Sequence, residues 1–325
     1  MDETRHFYRE FPKSLQREFD KTPISGDASE GLCPQVWKTV GDEIIFCIRL
    51  VHSQHMGRCV WAFIRTLEYY SRFLEASKIE LDVKGVAWTA AFPAPNITVP
   101  IALKHVEVDA SPIGLQDHEP IEQEGDKEPS RFEFLGKEID AGFRVAKNAS
   151  SDRLALSLEA AYLLSDICAL GDYTFVFTYE GREALKGVIG GRPYPVISID
   201  TERRSFRREV RAFEQSISGD KEAKPHLLKT FLDAFMKDEK IEPPYLLRKS
   251  EAFEDHKLPE TYRTFRKFWL EEQKEDDQRT KVEEQSEDET AQHNDNASIT
   301  ETDAESLAAI KASADELFNR FRDQH

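Results

Sequence analysis

Cysteine is scarce in this chain and widely scattered: Cys33, Cys47, Cys59 and Cys168 contain no Cys-x-x-Cys pair, which argues against both a zinc site and a disulfide framework. The thiols are expected to be reduced and mostly structural. Long apolar runs are missing as well. The longest, such as 44–48 and 59–64, fall far short of the roughly 18 residues a membrane span needs. Residues 1–20 are charged throughout and do not resemble a secretory signal, so the expected location is cytoplasmic. The negative charge is unevenly spread: of the net −17, eleven units fall within 271–305, where fourteen acidic residues face three basic ones. The rest is only weakly acidic, and nothing global argues for binding a nucleic-acid backbone.

The 325 residues are ample for a sizeable core. Phe7, Phe11, Leu15 and Phe19 recur every four residues and predict an amphipathic helix, with Pro12 sitting awkwardly inside it. Two strand-like stretches, 36–40 and 43–48, meet at Gly41-Asp42 and predict a hairpin with an acid at its tip. A helix over about 54–77 and a strand over 81–91 follow. Pro93, Pro95 and Pro100, then polar residues through Ser130, mark a long irregular excursion. Next come a helix over 137–148, a short strand at 154–156 and a helix from Ser157. Strand-like pieces at 173–178 and 194–199 and a helix over 225–237 complete the folded part. The expected organisation is a core of 1–172, an extension of 173–270 packed on it, an acidic disordered linker of 271–303 and a terminal amphipathic helix of 304–325. In that helix Leu307, Ile310, Ala314, Leu317 and Phe321 form one seam, behind a capping box of Thr302 and Glu305. The seam suits docking or self-association better than membrane anchoring.

Two segments carry chemistry. The first is Val36-Trp37-Lys38-Thr39-Val40-Gly41-Asp42-Glu43-Ile44-Ile45-Phe46. Taken alone it is equally an ordinary hairpin whose aspartate suits the turn. The second, Glu133-Phe134-Leu135-Gly136-Lys137-Glu138-Ile139-Asp140-Ala141-Gly142-Phe143-Arg144, puts Asp140 and Arg144 four residues apart on a helix. Both side chains then project from one face, towards a shared substrate or into a surface salt bridge.

Together, about 90 residues apart and in this order, the two segments resemble the paired signatures of the class III nucleotidyl cyclases. Trp37 before Lys38, the second segment as a whole, and Ser157-Leu158-Glu159-Ala160-Ala161-Tyr162-Leu163-Leu164 bring the chain nearest to the pyrimidine cyclases of bacterial Pycsar anti-phage systems. The resemblance covers roughly 1–170. It implies an α+β fold with a ferredoxin-like βαββαβ catalytic core, and a homodimer that cyclises a nucleoside triphosphate with two divalent ions, manganese or magnesium. UTP is the favoured substrate. Cyclic UMP would then be a messenger for a downstream effector that kills the infected cell. By the same resemblance Lys38 and Glu133 read the base, Asp42 binds metal, Asp140 stands where the family has an asparagine, and Arg144 meets transition-state charge. The family's first strand, which ends in the other metal aspartate, is not identifiable in this chain. Two alternatives stay open: a catalytically silent nucleotide-binding module, and a purine (adenylate) cyclase.

Two further clusters are expected to be ordinary surface. His52 and His55 lie three apart on a helix start with no acid or cysteine to complete a metal shell. Arg204, Arg207, Arg208 and Arg211 share a helical face, expected to be solvated and laced with Glu202 and Glu209.

Overall fold

The computed structural model describes residues 2–22, 31–101, 118–219, 221–249, 251–271 and 274. The acidic stretch and terminal helix expected beyond 271 therefore lie outside the described residues, residue 274 excepted. The chain is a mixed α+β protein. Its elements in order are α1 (Asp2–Lys21), β1 (Gln35–Val40), β2 (Glu43–Cys47), α2 (Ser53–Ala76), β3 (Val86–Ala87), β4 (Ile97–Pro100), α3 (His118–Lys127), β5 (Phe132–Leu135), α4 (Lys137–Val145), β6 (Arg153–Leu156), α5 (Leu158–Ala169), β7 (Phe177–Ala184), β8 (Pro193–Asp200), α6 (Ser205–Ser218), β9 (Glu222–Ala223) and α7 (Pro225–Glu239). A last helix spans 260–271. No helix among the described residues is long and apolar enough to cross a membrane.

The five-stranded sheet has the order β3-β6-β8-β7-β9. β3 and β6 run parallel, and the other pairings are antiparallel. Leu154, Leu156, Phe177, Ile197 and Ile199 of this sheet are almost fully buried, and so are Leu158, Leu164 and Ile167 of α5 and Leu228 and Leu232 of α7. Each such side chain contributes about 1.5–3 kcal/mol by leaving water. One apolar core therefore spans both sides of residue 172, and β6 hydrogen-bonds directly to β8 across it. α5 starts where the sequence places its start: Ser157 Oγ accepts from the Ala160 N–H and caps the helix.

The four-residue stripe of α1 is the buried one, with Phe11, Leu15 and Phe19 all against α2, and the helix runs through Pro12. Arg58 of α2 donates twice to the Phe19 carbonyl and lies 3.9 Å over the Phe19 ring, which ties down the C-terminal turn of α1.

His52 and His55 are not surface residues: they are 5% and 0% exposed. His52 Nδ1 accepts from the His55 N–H and caps α2, while His55 Nε2 reaches the Leu32 carbonyl at 2.9 Å. His52 closes a helix end and His55 holds a loop, which gives both a structural reason to be buried, and burial lowers the His55 pKa, favouring the neutral ring. The arginine face of α6 also departs from expectation. Arg211 pairs with Asp200 and Asp152, Arg208 donates to the Glu202 carbonyl, and Glu202 itself is buried, so half of that face is a clamp onto the sheet.

Two expected strands shift. Within 81–91 only β3 forms, because Trp88 turns to pack on α4 at Gly142 and the Ala91 N–H bonds a side chain instead of a ladder. The strand expected at 173–178 begins at Phe177, since Tyr173 and Phe175 stack in parallel 5.8 Å apart and turn to α2, where the Tyr173 hydroxyl donates to the Gln54 carbonyl. The irregular excursion contains β4 and α3, and 102–117 lie outside the described residues. The four cysteines are free, and burial pushes the Cys33 and Cys47 thiols up to about 12.

Gly57 tests this packing. A methyl group there would come within 2.3 Å of the Tyr173 ring. At an open helical position Gly→Ala gains up to about 1 kcal/mol. Gly57→Ala is expected instead to destabilise by roughly 1–3 kcal/mol, seen as a lower urea midpoint at unchanged m-value, and a higher midpoint would contradict the contact.

Candidate functional site

The β1–β2 hairpin turns at Gly41, whose φ of +61° suits glycine, with Asp42 exposed at the tip. The Tyr8 hydroxyl of α1 donates to the Gly41 carbonyl and fixes this tip. Along the ladder Val36 faces Phe46 but Lys38 faces Ile45, so Trp37 is the extra residue of a β-bulge. Bulges re-aim side chains. Here Trp37 turns inward to 4% exposure, where it packs with Ile45, Ile139 and Phe134. Its Nε1–H donates to the Phe132 carbonyl at 2.8 Å.

That bond joins the first hairpin to a second one, β4–β5, in which Val99 faces Glu133. Glu133 follows Phe132 directly, and its Oε2 lies 2.5 Å from Lys38 Nζ, which itself sits 4.0 Å over the Trp37 ring. The structure thus brings together two residues 95 positions apart, both singled out in the sequence. The pair is about one-third exposed on each side. An ion pair so placed contributes only about 0–1 kcal/mol to folding, so its value lies in presenting a cationic donor beside an anionic acceptor to solvent.

Between β5 and α4, Gly136 takes a φ of +146°, and a Cβ there would meet Asn96 Oδ1 at 2.2 Å. Asn96, fully buried, occupies that space. Its Oδ1 accepts from the Glu138 N–H in the first turn of α4, and its Nδ2 donates to Glu138 Oε2 and to the Ala91 carbonyl. The Ala91 N–H also donates to Glu138 Oε2, at 2.6 Å. A side chain some forty positions away therefore does the work of a cap for α4. Burial raises the Glu138 pKa, against these donors, which favour the carboxylate.

Asp140 and Arg144 are exposed on α4 and form no ion pair with each other. The Arg144 guanidinium passes beside Gly187, 3.8 Å from where a side chain there would begin. It makes no salt bridge with a carboxylate among the described residues, so its charge is available. Asp42 likewise has no salt-bridge partner among the described residues. For the divalent ions that the resemblance implies, Asp42 would supply one carboxylate. Among the described residues no three of His, Cys, Asp and Glu gather as a metal-holding group, and they do not by themselves make an ion's shell.

Sequence reasoning missed Asn96, Glu138 and Glu159. Asn96 has no local signal, sitting after a proline in an apparently irregular stretch. Glu138 and Glu159 lie inside the segments that carry the family resemblance, where nothing in residue type or spacing signals their burial. Glu159 Oε2 is buried with no hydrogen-bond partner, and burial, reinforced by the charge of Glu138, raises this carboxyl to about 7.

No protein-family model and no curated protein matches the chain.

The Glu159 shift has a definite sign in stability. Its folded value of about 7 lies above the ordinary 4.5, so between those values the folded chain holds a proton the unfolded chain has released. Stability falls as pH rises through that window and levels above it. At 1.36 kcal/mol per unit this amounts to roughly 3 kcal/mol. Glu159→Gln is expected to match the parent near about pH 4.5 and to be more stable at about pH 8, measured by urea unfolding at both. An equal difference at the two pH values would contradict the assignment.

Proposed function

We propose that the chain is a nucleotidyl cyclase acting on a pyrimidine nucleoside triphosphate, UTP above CTP, in a homodimer located in the cytoplasm. The observation that carries this reading is the Lys38–Glu133 contact, a donor and an acceptor set side by side from two hairpins and held by a buried indole. Uracil offers a matching edge: its O4 accepts from an ammonium and its N3–H donates to a carboxylate. Each partner can turn from the other to the base with its hydrogen bonding conserved.

The reaction forms a bond from the ribose 3′-oxygen to the α-phosphorus, breaks the bond from that phosphorus to the pyrophosphate oxygen, and releases the 3′-hydroxyl proton. Negative charge builds on the equatorial oxygens, and a cation free of a carboxylate partner is what that charge requires. Arg144 on α4, without a carboxylate partner among the described residues, is such a cation. Asp140, on the same exposed face, is assigned to orient the ribose. The clamp of Asn96 on Glu138 gives α4 a fixed starting point directly after β5, which carries Glu133. The resemblance to the anti-phage pyrimidine cyclases supports cyclic UMP as the product and a messenger-gated, cell-killing effector as its downstream partner.

A catalytically silent nucleotide-binding module is the second reading, favoured in that no group of three metal-ligating side chains gathers at Asp42 among the described residues. One assay separates them: purified protein with ATP, GTP, CTP or UTP and manganese, because triphosphates act as divalent-cation complexes. Cyclic UMP is expected. Cyclic AMP would move the protein to purine signalling, and UTP binding without product would favour the silent module.

Asp42→Ala and Arg144→Ala are each expected to lower turnover by about a hundredfold or more with the dimer intact. In the family this chain resembles, the metal aspartates and the arginine of one site come from opposite subunits, so equimolar mixing of the two should restore part of the turnover: a heterodimer with such shared sites keeps one intact copy. Retained synthesis in either variant would overturn the site assignment, and absence of rescue in demonstrated heterodimers would overturn the shared site.

A further inference from the structure

α6 is amphipathic in an unusual sense: its polar face meets the protein and its apolar face meets solvent. Phe206, Val210, Phe213 and Ile217 are 73%, 42%, 64% and 87% exposed, and none belongs to an apolar cluster of the core. Scattered exposed apolar residues are normal, but four on one stripe of a 14-residue helix are not. Their spacings of four, three and four are those of alternating d and a positions in a heptad, the pattern by which one helix seats against another. Arg208 and Arg211 of the same helix are committed to Glu202, Asp200 and Asp152, so the helix is already held in place and the stripe is presented outward.

We propose that α6 pairs in antiparallel fashion with α6 of a second copy of this chain. Charges beside the stripe select both partner and direction. Arg207 and Glu214 occupy the two e positions, and Glu209 one g position. In a parallel pair, g meets e across the seam, and Glu209 would face the partner's Glu214, a repulsion. In an antiparallel pair e meets e, so Arg207 lies beside the partner's Glu214 and, by two-fold symmetry, Glu214 beside the partner's Arg207. The apolar layers then match too: Phe206 packs on the partner's Ile217 and Val210 on the partner's Phe213. The stripe is self-complementary in both charge and shape, which is what an isologous contact requires. With only two heptads, the contact is short and reversible.

The contact is independent of the cyclase reading, because the test reads mass and not turnover. Sedimentation velocity over a concentration series on the full chain compares the parent with Phe213→Glu/Ile217→Glu, Arg207→Glu and Glu214→Arg. All four positions are exposed, so the fold is expected to survive, checked by circular dichroism. The double variant should raise the dissociation constant of self-association by about tenfold or more, and each single charge reversal by roughly threefold. An equimolar mixture of the two single variants should associate as the parent does, because each copy then carries the charges the other lacks. If the chain also associates through another face, loss of the α6 contact lowers the assembly by one step. Parent-like masses for all variants, or a parent monomeric throughout, would overturn the proposal. Weakening without rescue in the mixture would overturn the antiparallel arrangement. Unchanged masses with loss of flotation on phosphatidylserine–phosphatidylcholine vesicles in the double variant would assign the stripe to a lipid surface instead.

Discussion

One indole fixes the geometry on which the candidate site depends. Trp37 is the residue that does not fit the β1–β2 ladder, and being left out of register it turns inward and reaches the Phe132 carbonyl of the other hairpin. The next residue on each side of that bond is Lys38 on one strand and Glu133 on the other. A single hydrogen bond between a bulge and a neighbouring strand thus sets the separation of two side chains that are far apart in sequence. A buried Trp N–H without an acceptor costs about 1–3 kcal/mol, so the hairpins are held to this mutual position by a penalty for leaving it. The lysine's own ion pair, about one-third exposed to water, has no comparable force.

The rest of the site is positioned by the same kind of device. Asn96 and Glu138 exchange bonds between a loop and the first turn of α4, in a space that only a glycine at position 136 leaves open. Beneath these clamps the five-stranded sheet with α5 and α7 provides bulk burial, which is strong but non-directional. Apolar burial makes the scaffold, and a few directed polar contacts decide where the charged groups stand on it.

What could be read from the sequence follows that division. Elements whose signal is local were legible: the four-residue stripe of α1, the Gly41-Asp42 turn, the start of α5 at Ser157 and the strand-like run of β8 each carry their cause within a few residues. The candidate residues Lys38, Asp42, Glu133, Asp140 and Arg144 were legible only as candidates, through a resemblance to a family pattern. Their arrangement was not, because a bulge at Trp37 and a clamp from Asn96 are tertiary contacts. The two displaced strands failed for the same reason. Trp88, Tyr173 and Phe175 look like strand residues, yet their rings are engaged by helices elsewhere, and the ladder gives way. His52 and His55 were misread because polarity was taken for exposure, whereas His52 caps a helix, His55 holds a carbonyl partner, and both can therefore be buried.

The attachment of α6 carries a further consequence. Its ties to the body include the Arg211 ion pairs with Asp200 and Asp152 and the Arg208 hydrogen bonds to the Glu202 carbonyl, and none of its apolar side chains belongs to a core cluster. Ion pairs such as those of Arg211 weaken with ionic strength. Releasing them exposes little apolar surface and so carries little of the heat-capacity change that accompanies the opening of a core. The helix is therefore detachable in a way the sheet is not: salt can loosen it while the fold beneath keeps its full thermal stability, which makes α6 a module whose presentation is set by the ionic surroundings of the protein.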